Sequence, residues 1–165
     1  MAKLIIGKGL DEYISKLGNL EFKSPEAMGR AIYDGAKVVA DATMEALKAL
    51  PTETGQTKSA SGHHVLRGLT TYEKSGLIDG FGVSKQMDDG GYINVKLGVE
   101  GYNGHATKKY PNGAPNLAVA RAMESGTSFM KKNPVFSRVA RSKKAEAERV
   151  MQETLDKEIK QIMND

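Results

Sequence analysis

The sequence contains no cysteine and no tryptophan, and only 6% of its residues are aromatic. The absence of cysteine excludes disulfides and thiolate metal sites, and it favours a reducing compartment. The few aromatic residues provide little of the stacking surface that single-stranded nucleic acids need. No segment reaches the roughly 18 apolar residues of a membrane-spanning helix, and residues 1–9 lack the pattern of a signal peptide. We therefore expect a soluble protein, made in the cytoplasm, with no membrane partner.

The charge of the chain is mild overall but uneven along its length. The 165 residues suit one domain, 1–165, and 24 basic against 20 acidic residues give a net charge of +4. Basic residues far outnumber acidic ones between positions 131 and 149. The basic residues of this segment are Lys131, Lys132, Arg138, Arg141, Lys143, Lys144 and Arg149. All but Arg149 are candidate contacts to DNA or to an acidic partner. The plainer interpretation is a solvated helix face.

The centre of the sequence has the pattern of a β-hairpin. From Ile93 to Val99 every second residue is a large aliphatic one, which predicts a strand with one buried face. Residues 88–91, Asp-Asp-Gly-Gly, have the composition of a tight turn. We predict that segment 77–87 pairs with segment 92–99. A lone hairpin is barely stable in water, so helices must cover its apolar face.

A short strand at Leu4–Ile6 and two helices are predicted before the hairpin. Apolar residues recur at three- and four-residue spacing from Leu10 to Leu17, which predicts a short helix that ends at Gly18. Ser24, Pro25 and Glu26 then have the residue types of a helix start, so we expect a long second helix that ends at Pro51. Its predicted buried stripe is rich in small residues that permit close packing: Met28, Ala31, Ile32, Gly35, Val38 or Val39, Ala42, Ala46 and Leu50.

The second half of the sequence predicts two further helices. Two long loops are also predicted, one before the hairpin and one after it. A short helix begins at Pro115 or Asn116, with Leu117, Ala120 and Met123 on its apolar side, and it ends near Gly126. The last helix runs from Pro134 to the C-terminus. Segments 52–75 and 102–116 lack periodicity and are rich in small and polar residues, which predicts loops.

Together these patterns predict an α+β fold. The long helix and the C-terminal helix pack on an antiparallel, hairpin-based sheet that is connected by long loops.

Histidines and serines outside the helices provide no convincing catalytic site. His63 and His64 are adjacent, so they point in different directions, and neither they nor His105 has a carboxylate at ligand spacing. Segment 56–75 also holds Ser59, Ser61 and Ser75, which leaves a Ser-His hydrolase as a rival hypothesis, but the Gly-x-Ser-x-Gly pattern is absent. The sequence predicts no catalytic residue, no metal site and no cofactor.

Glycine pairs and neighbouring acids also have structural explanations. Segments 7–9 and 80–82 each have Gly-x-Gly, but neither continues as a phosphate-binding loop. Such glycines more often mark a bulge or a close approach of another backbone. Asp88 and Asp89 belong to the predicted turn, where aspartate is favoured for its local backbone bonds.

Three short motifs resemble those of the phage tail-component family. Segment 51–55, Pro-Thr-Glu-Thr-Gly, follows a long helix and resembles the family's Pro-x-Asp-Thr-Gly, with Glu53 in place of Asp. Segment 124–128, Glu-Ser-Gly-Thr-Ser, is similar to the family's Glu-x-Gly-Thr. Segment 134–136, Pro-Val-Phe, is similar to its Pro-Phe, with Val135 inserted. Segment 9–12, Gly-Leu-Asp-Glu, is similar too, whereas segment 56–75 is longer than the connection common in the family.

The resemblance implies a structural protein of the virion. Members are small proteins of long-tailed phages, encoded among the genes for head-tail joining and associated with tail completion. By resemblance we expect a homo-oligomeric ring, six-fold or twelve-fold, at the head-tail junction or the head-proximal tail end. It would contact connector or stopper proteins, tail-tube proteins and packaged DNA, and it would catalyse no reaction. The motif residues that carry the resemblance are Pro51, Thr54, Gly55, Glu124, Gly126, Thr127, Pro134 and Phe136. The alternative is a DNA-binding protein that uses the basic helix 131–149.

Overall fold

The computed structural model describes residues 8–53 and 67–164, and for residues 8–17 and 19–22 it describes the backbone alone. The elements in chain order are α1 (Lys8–Lys48), α2 (Thr71–Gly80), β1 (Phe81–Val83), β2 (Met87–Asp88), β3 (Ile93–Asn94), β4 (Leu97–Val99), α3 (Asn116–Ser125) and α4 (Val135–Asn164). Long helices near both ends and a small set of antiparallel strands confirm the predicted α+β class. The predicted strand at Leu4–Ile6 lies outside the described residues.

Helix α1 is continuous, so the prediction of two helices with a break between Gly18 and Ser24 is wrong. Pro25 lies inside this helix. A proline in a helix removes one backbone hydrogen bond and bends the helix, but the turns on either side can continue. Residue types that are favoured at helix boundaries are therefore tolerated here within a helix that packing supports. The other end agrees with the prediction, since α1 ends at Lys48, shortly before Pro51.

Helices α1 and α4 pack antiparallel to each other over most of their shared length. Arg30 pairs with Glu158, and the Thr154 hydroxyl donates to Asp34, so positions rise along one helix as they fall along the other. Helix α1 carries small buried residues along its length: Ala27, Ala31, Ala36 and Ala40. At Gly35 an added Cβ would overlap Met151 of α4. Small residues thus permit the close approach that the sequence predicts, although Met28, expected on the buried stripe, is 37% exposed.

Residues 71–80 form helix α2, which corrects two predictions at once. Residues 71–75 were expected in a loop and residues 77–80 in a strand. The helix begins with a capping box, in which the Thr70 hydroxyl accepts from the Glu73 amide (3.3 Å) and the Glu73 carboxylate accepts from the Thr70 amide (2.9 Å). These reciprocal bonds satisfy amides that the first turn of a helix otherwise leaves without partners.

The hairpin is present but shorter than predicted. β1 pairs with β4 (Phe81 opposite Val99), and β2 pairs with β3 (Asp88 opposite Ile93), both antiparallel. The register shifts by one residue between the two pairs, which is the count of a β-bulge. The turn lies where it was predicted, with Gly90 and Gly91 at positive φ. Among the alternating residues only Val99 is buried, and Leu97 is 36% exposed.

The hydrophobic core lies at the C-terminal end of α1. Its most deeply buried large side chains are Leu47, Leu77, Met123, Met130 and Val135. Helix α3 has the predicted bounds, but Val119 is buried on it while Leu117 is exposed, contrary to the predicted apolar side. Helix α4 begins directly after Pro134, as predicted, and a loop links β4 to α3.

Candidate functional site

Residues 51–53 of the first resemblance motif lie close to residues 129–132, which follow the second motif, because a third segment connects them. Thr52 forms a parallel bridge with Leu69, and Arg67 forms a parallel bridge with Met130. The backbone amides of Glu53 and Lys131 donate to the carbonyls of Leu69 (2.8 Å) and Arg67 (2.9 Å). We call this junction of residues 51–53, 67–69 and 129–132 the seam. It joins parts of the chain that are almost 80 residues apart, as the 78-residue separation of Glu53 and Lys131 shows.

Glu53, the acid of segment 51–55, holds two sides of the seam together. Its carboxylate accepts from the Lys131 ammonium (3.0 Å) and from the Gly68 amide (2.8 Å). These two hydrogen bonds, that from Lys131 first and that from Gly68 second, lower the pKa of the Glu53 carboxyl below its usual range. Lys131 is therefore engaged within the fold. Thr54 and Gly55 of the same motif lie outside the described residues.

Glu124 provides the N-terminal cap of α4. Its carboxylate accepts from the backbone amides of Phe136 (3.1 Å) and Ser137 (2.8 Å) and from the Ser137 hydroxyl. A carboxylate at this position satisfies two of the four free amides of the helix and interacts favourably with the helix dipole. The acid of the Glu-x-Gly-Thr motif thus fixes the direction in which the C-terminal helix leaves the core.

Gly126 and Thr127 shape the turn that follows α3. Gly126 ends the helix with φ of 77°, and its amide donates to the Ala122 carbonyl (2.9 Å). An added Cβ would lie 3.0 Å from the Cβ of Lys132. The Thr127 hydroxyl accepts from the amides of Phe129 (3.3 Å) and Met130 (3.0 Å). The turn brings Met130 to the seam.

Pro134 and Phe136 lie where α4 enters the core. Pro134 is the residue before the helix, and the Phe136 ring packs at a tilt against Phe81 of β1, with ring centroids 6.1 Å apart. Leu97 and Leu117, both exposed, border the same apolar groove as these two rings. Phe136 thereby connects the helix to the small sheet.

The basic residues of segment 131–144 separate into two groups. Lys143 and Lys144 pair with Glu146 (2.7 Å) and Glu148 (3.8 Å) on the same helix, and Lys131 pairs with Glu53. Lys132, Arg138 and Arg141 line one open groove beside Ser137 and Glu124. Because Glu124 is already bound to the start of α4, the second group is the part of the patch most available to an anionic partner.

Arg67, a residue of the seam, forms a buried ion pair with Glu73. Arg67 donates to both carboxylate oxygens of Glu73, at 2.6 and 2.7 Å, and the two side chains are only 18% and 10% exposed. Burial acts to raise the pKa of the Glu73 carboxyl, but hydrogen bonds from Arg67 and Thr70, with the Arg67 charge, hold it below its usual value. Arg67 also lies over the ring of Phe129, 5.8 Å from its centroid.

This ion pair forms one wall of an open groove of about 470 Å³. Small side chains provide its floor (Ala114, Ala118, Ala122), and Tyr110 and Phe129 border it. Asn103 braces the loop at its rim, since its side-chain oxygen accepts from the amides of His105 (3.2 Å) and Ala114 (3.0 Å). We call this the Tyr110–Phe129 groove. Its size and its mostly apolar lining are those of a binding site.

The remaining sequence candidates do not form a reactive cluster. His63, His64, Ser59 and Ser61 lie outside the described residues. His105 stacks on Tyr72, with centroids 4.4 Å apart, and the Ser75 hydroxyl donates to Asp79. Residues 8–53 and 67–164 contain no group of three acidic or histidine side chains that could hold a metal ion. Gly80 permits the close approach of another backbone segment, because a Cβ at this position would overlap the Glu100 carbonyl.

Sequence reasoning missed the seam, the ion pair and the groove. The signal for the ion pair's position was present, since Thr70 and Glu73 have the spacing of a capping box. Nothing in the local sequence pairs Arg67 with Met130.

Within the described part of the chain no helix is long and apolar enough to cross a membrane. No protein-family model, curated protein or solved structure matches the chain.

Proposed function

We propose that this chain is a structural protein of a phage virion, which assembles as a ring at the head-tail junction or at the head-proximal end of the tail. The proposal rests on the resemblance of segments 51–55, 124–128 and 134–136 to the tail-component family. One structural observation supports it best: the described residues of these motifs hold one structural unit together. Residues 51–53 reach the segment after Thr127 through the seam, and Glu124 caps the helix that begins after Pro134.

The contacts of these residues are those of a scaffold. Glu53, Glu124 and Thr127 all use their side chains to fix backbone amides. What the fold exposes is a hairpin, a long loop and several large apolar side chains, which suit contacts between subunits. The function is then geometric: copies bind one another until the ring closes, and its two faces bind the neighbouring virion proteins.

Electron microscopy of particles of a phage that encodes this chain tests the proposal. We expect an antibody to the chain to label the junction of head and tail, and mass spectrometry to find the chain in purified mature particles. A major tail or capsid protein provides the positive control for labelling and recovery. Absence of the chain from mature particles would contradict the proposal.

Binding of DNA is the alternative, and the open group Lys132, Arg138 and Arg141 is the observation that favours it. If these three residues contact phosphates, reversing their charges should lower affinity and reduce the slope of log K against log salt by about 3. Reversal of Lys37, exposed on α1, is the matched control. An unchanged salt slope in the triple variant would exclude this face as the DNA contact.

A further inference from the structure

We propose that the tip of the hairpin of one copy binds in the Tyr110–Phe129 groove of the next copy, with Tyr92 as the side chain that enters the groove. The tip is residues 88–93. This inference rests on the proposed ring function, and it names the contact between neighbouring copies.

Tyr92 has the properties of an anchor. It is 72% exposed, although it follows directly on the tight turn of a short hairpin. The described hydrogen bonds of the tip stabilise the turn and do not involve the aromatic ring of Tyr92. The Gly91 amide donates to Asp88 (2.6 Å), and the Asn94 side chain donates to Asp89 (2.9 Å). A tyrosine on a braced turn loses little freedom when it binds, and tyrosines are enriched among the residues that dominate interface energies.

The groove has the shape and chemistry to receive such a ring. Alanines at its floor leave room, and Tyr110 and Phe129, the latter 48% exposed, provide aromatic edges and faces. Thr107 and Asn103 lie at its lining and provide polar partners for a phenol. A tyrosine needs both, because its ring is apolar and its hydroxyl requires a hydrogen bond when buried.

The charges of the two surfaces are complementary. Segment 86–95 carries two acidic residues, Asp88 and Asp89, and no basic one, and both acids are exposed. Segment 103–114, which forms the rim of the groove, carries Lys108 and Lys109 and no acidic residue, and both lysines are exposed. Opposite charges at the border of an apolar contact guide the partners into register and discourage other pairings.

The tip of a chain cannot enter the groove of the same chain. The Gln86 side chain, just before β2, lies so close to Gly29 of α1 that a Cβ there would overlap it. The groove lies beyond the other end of α1, where Lys74 binds the carbonyls of Lys48 and Leu50. Gly29 and Lys48 are separated by about 28 Å along the helix axis at 1.5 Å per residue. A tip that fills the groove therefore comes from a second copy, and a contact between two different surfaces repeats from copy to copy, which closes a ring when the rotation between copies permits it.

Disulfide trapping tests the contact. Because the chain has no native cysteine, only the introduced thiols can form a disulfide. Asp89→Cys chains, which keep Tyr92, and Ala118→Cys chains are mixed under oxidising conditions, since both positions are exposed. We expect covalent heterodimers at a yield on the order of tenfold above the control, because binding holds the two thiols at high effective concentration. The control mixture pairs Ala118→Cys with Tyr33→Cys, at an exposed tyrosine of α1. A yield equal to that of the control would overturn the proposal.

A charge exchange provides a second readout. Lys108→Glu with Lys109→Glu, introduced into the Ala118→Cys chain, should reduce the heterodimer yield, and Asp88→Lys in the Asp89→Cys chain should restore it. Far-UV circular dichroism of each variant confirms that it folds. Reduction without restoration would show that the lysines act by some route other than the tip, and it would contradict the proposed pairing.

The same cysteine pair separates this inference from the proposed function. In particles that carry both cysteines in one chain, a ladder of linked chains supports both proposals. If the chain is present in particles but no ladder forms, the ring function stands and the tip-to-groove contact is wrong. If the mixed chains link in solution but the chain is absent from particles, the contact stands and the virion function is wrong.

Discussion

The ion pair between Arg67 and Glu73 should be worth several times more than an ion pair on the surface. Replacing Arg67 with Met removes both hydrogen bonds to the carboxylate and leaves Glu73, only 10% exposed, with Thr70 as its remaining partner. Removal of one partner from a buried pair costs about 3–5 kcal/mol. Because both side chains keep some access to water, we expect the lower end of that range, a loss of about 3 kcal/mol in the free energy of unfolding.

Glu73→Gln separates the ion pair from the helix cap. Glutamine at the third helical position still accepts from the Thr70 amide, so the capping box is kept while the charge is lost. We expect a smaller loss, about 2 kcal/mol, the cost of hydrogen bonds to a charged group. Urea denaturation followed by circular dichroism measures both variants. Lys143→Met, which breaks the exposed pair with Glu146, is the matched control and should cost about 0–1 kcal/mol.

The contribution of this pair should also depend on pH. The pKa of Glu73 is lowered in the folded chain, so its stabilisation is complete above the pKa of the unfolded chain, about 4.3, and it is lost as the pH falls through the folded value. The stability difference between the native chain and Glu73→Gln should therefore shrink as the pH falls below about 4.3. A constant difference, or an Arg67→Met cost no larger than that of the control, would refute the view that this pair is a buried support of the groove.

Three further substitutions test the scaffold contacts by urea denaturation. Glu124→Ala removes the cap of α4 and should cost about 1 kcal/mol, whereas Glu148→Ala on the exposed face of the same helix should cost less than half of that; equal costs would contradict the capping role. Gly126→Ala forces a Cβ onto a residue at φ of 77° and should cost about 1 kcal/mol or more, and an unchanged stability would show that the turn relaxes. Gly35→Ala should cost about 1–3 kcal/mol because its Cβ would overlap Met151, and a stabilised variant would mean that the two long helices separate easily.

Local chemistry predicted the parts of this fold that depend on local interactions. Pro115 and Gly126 bound α3, and Gly90 and Gly91 form the hairpin turn where their residue types indicate it. Pro25 shows the limit of that reasoning, because a residue type that starts many helices lies here inside one. Helix α2 escaped prediction since its apolar residues have no helical period, and its capping box went unused.

The candidate site was harder to predict because it depends on contacts between distant segments. Each parallel bridge of the seam joins a single pair of residues, such as Arg67 and Met130. No alternating pattern in the sequence therefore predicts these bridges. The groove is likewise built from a loop, a helix and a turn, and its alanines are unremarkable in sequence. Burial of Leu97 was expected from alternation alone, but the sheet has only two strands at that point and nothing covers this residue fully.

The hydrogen bond between the Gly68 amide and the Glu53 carboxylate has a consequence for how this chain tolerates insertions. The chain leaves the described fold at Glu53 and returns at Arg67, so the 13 residues numbered 54–66 are anchored at both ends to the same point. The entropy of closing such a connection grows only with the logarithm of its length, and doubling it costs about 0.6 kcal/mol. A flexible insertion between Glu53 and Arg67 should therefore cost little, because these two flanking residues are held together by contacts that do not involve the inserted residues.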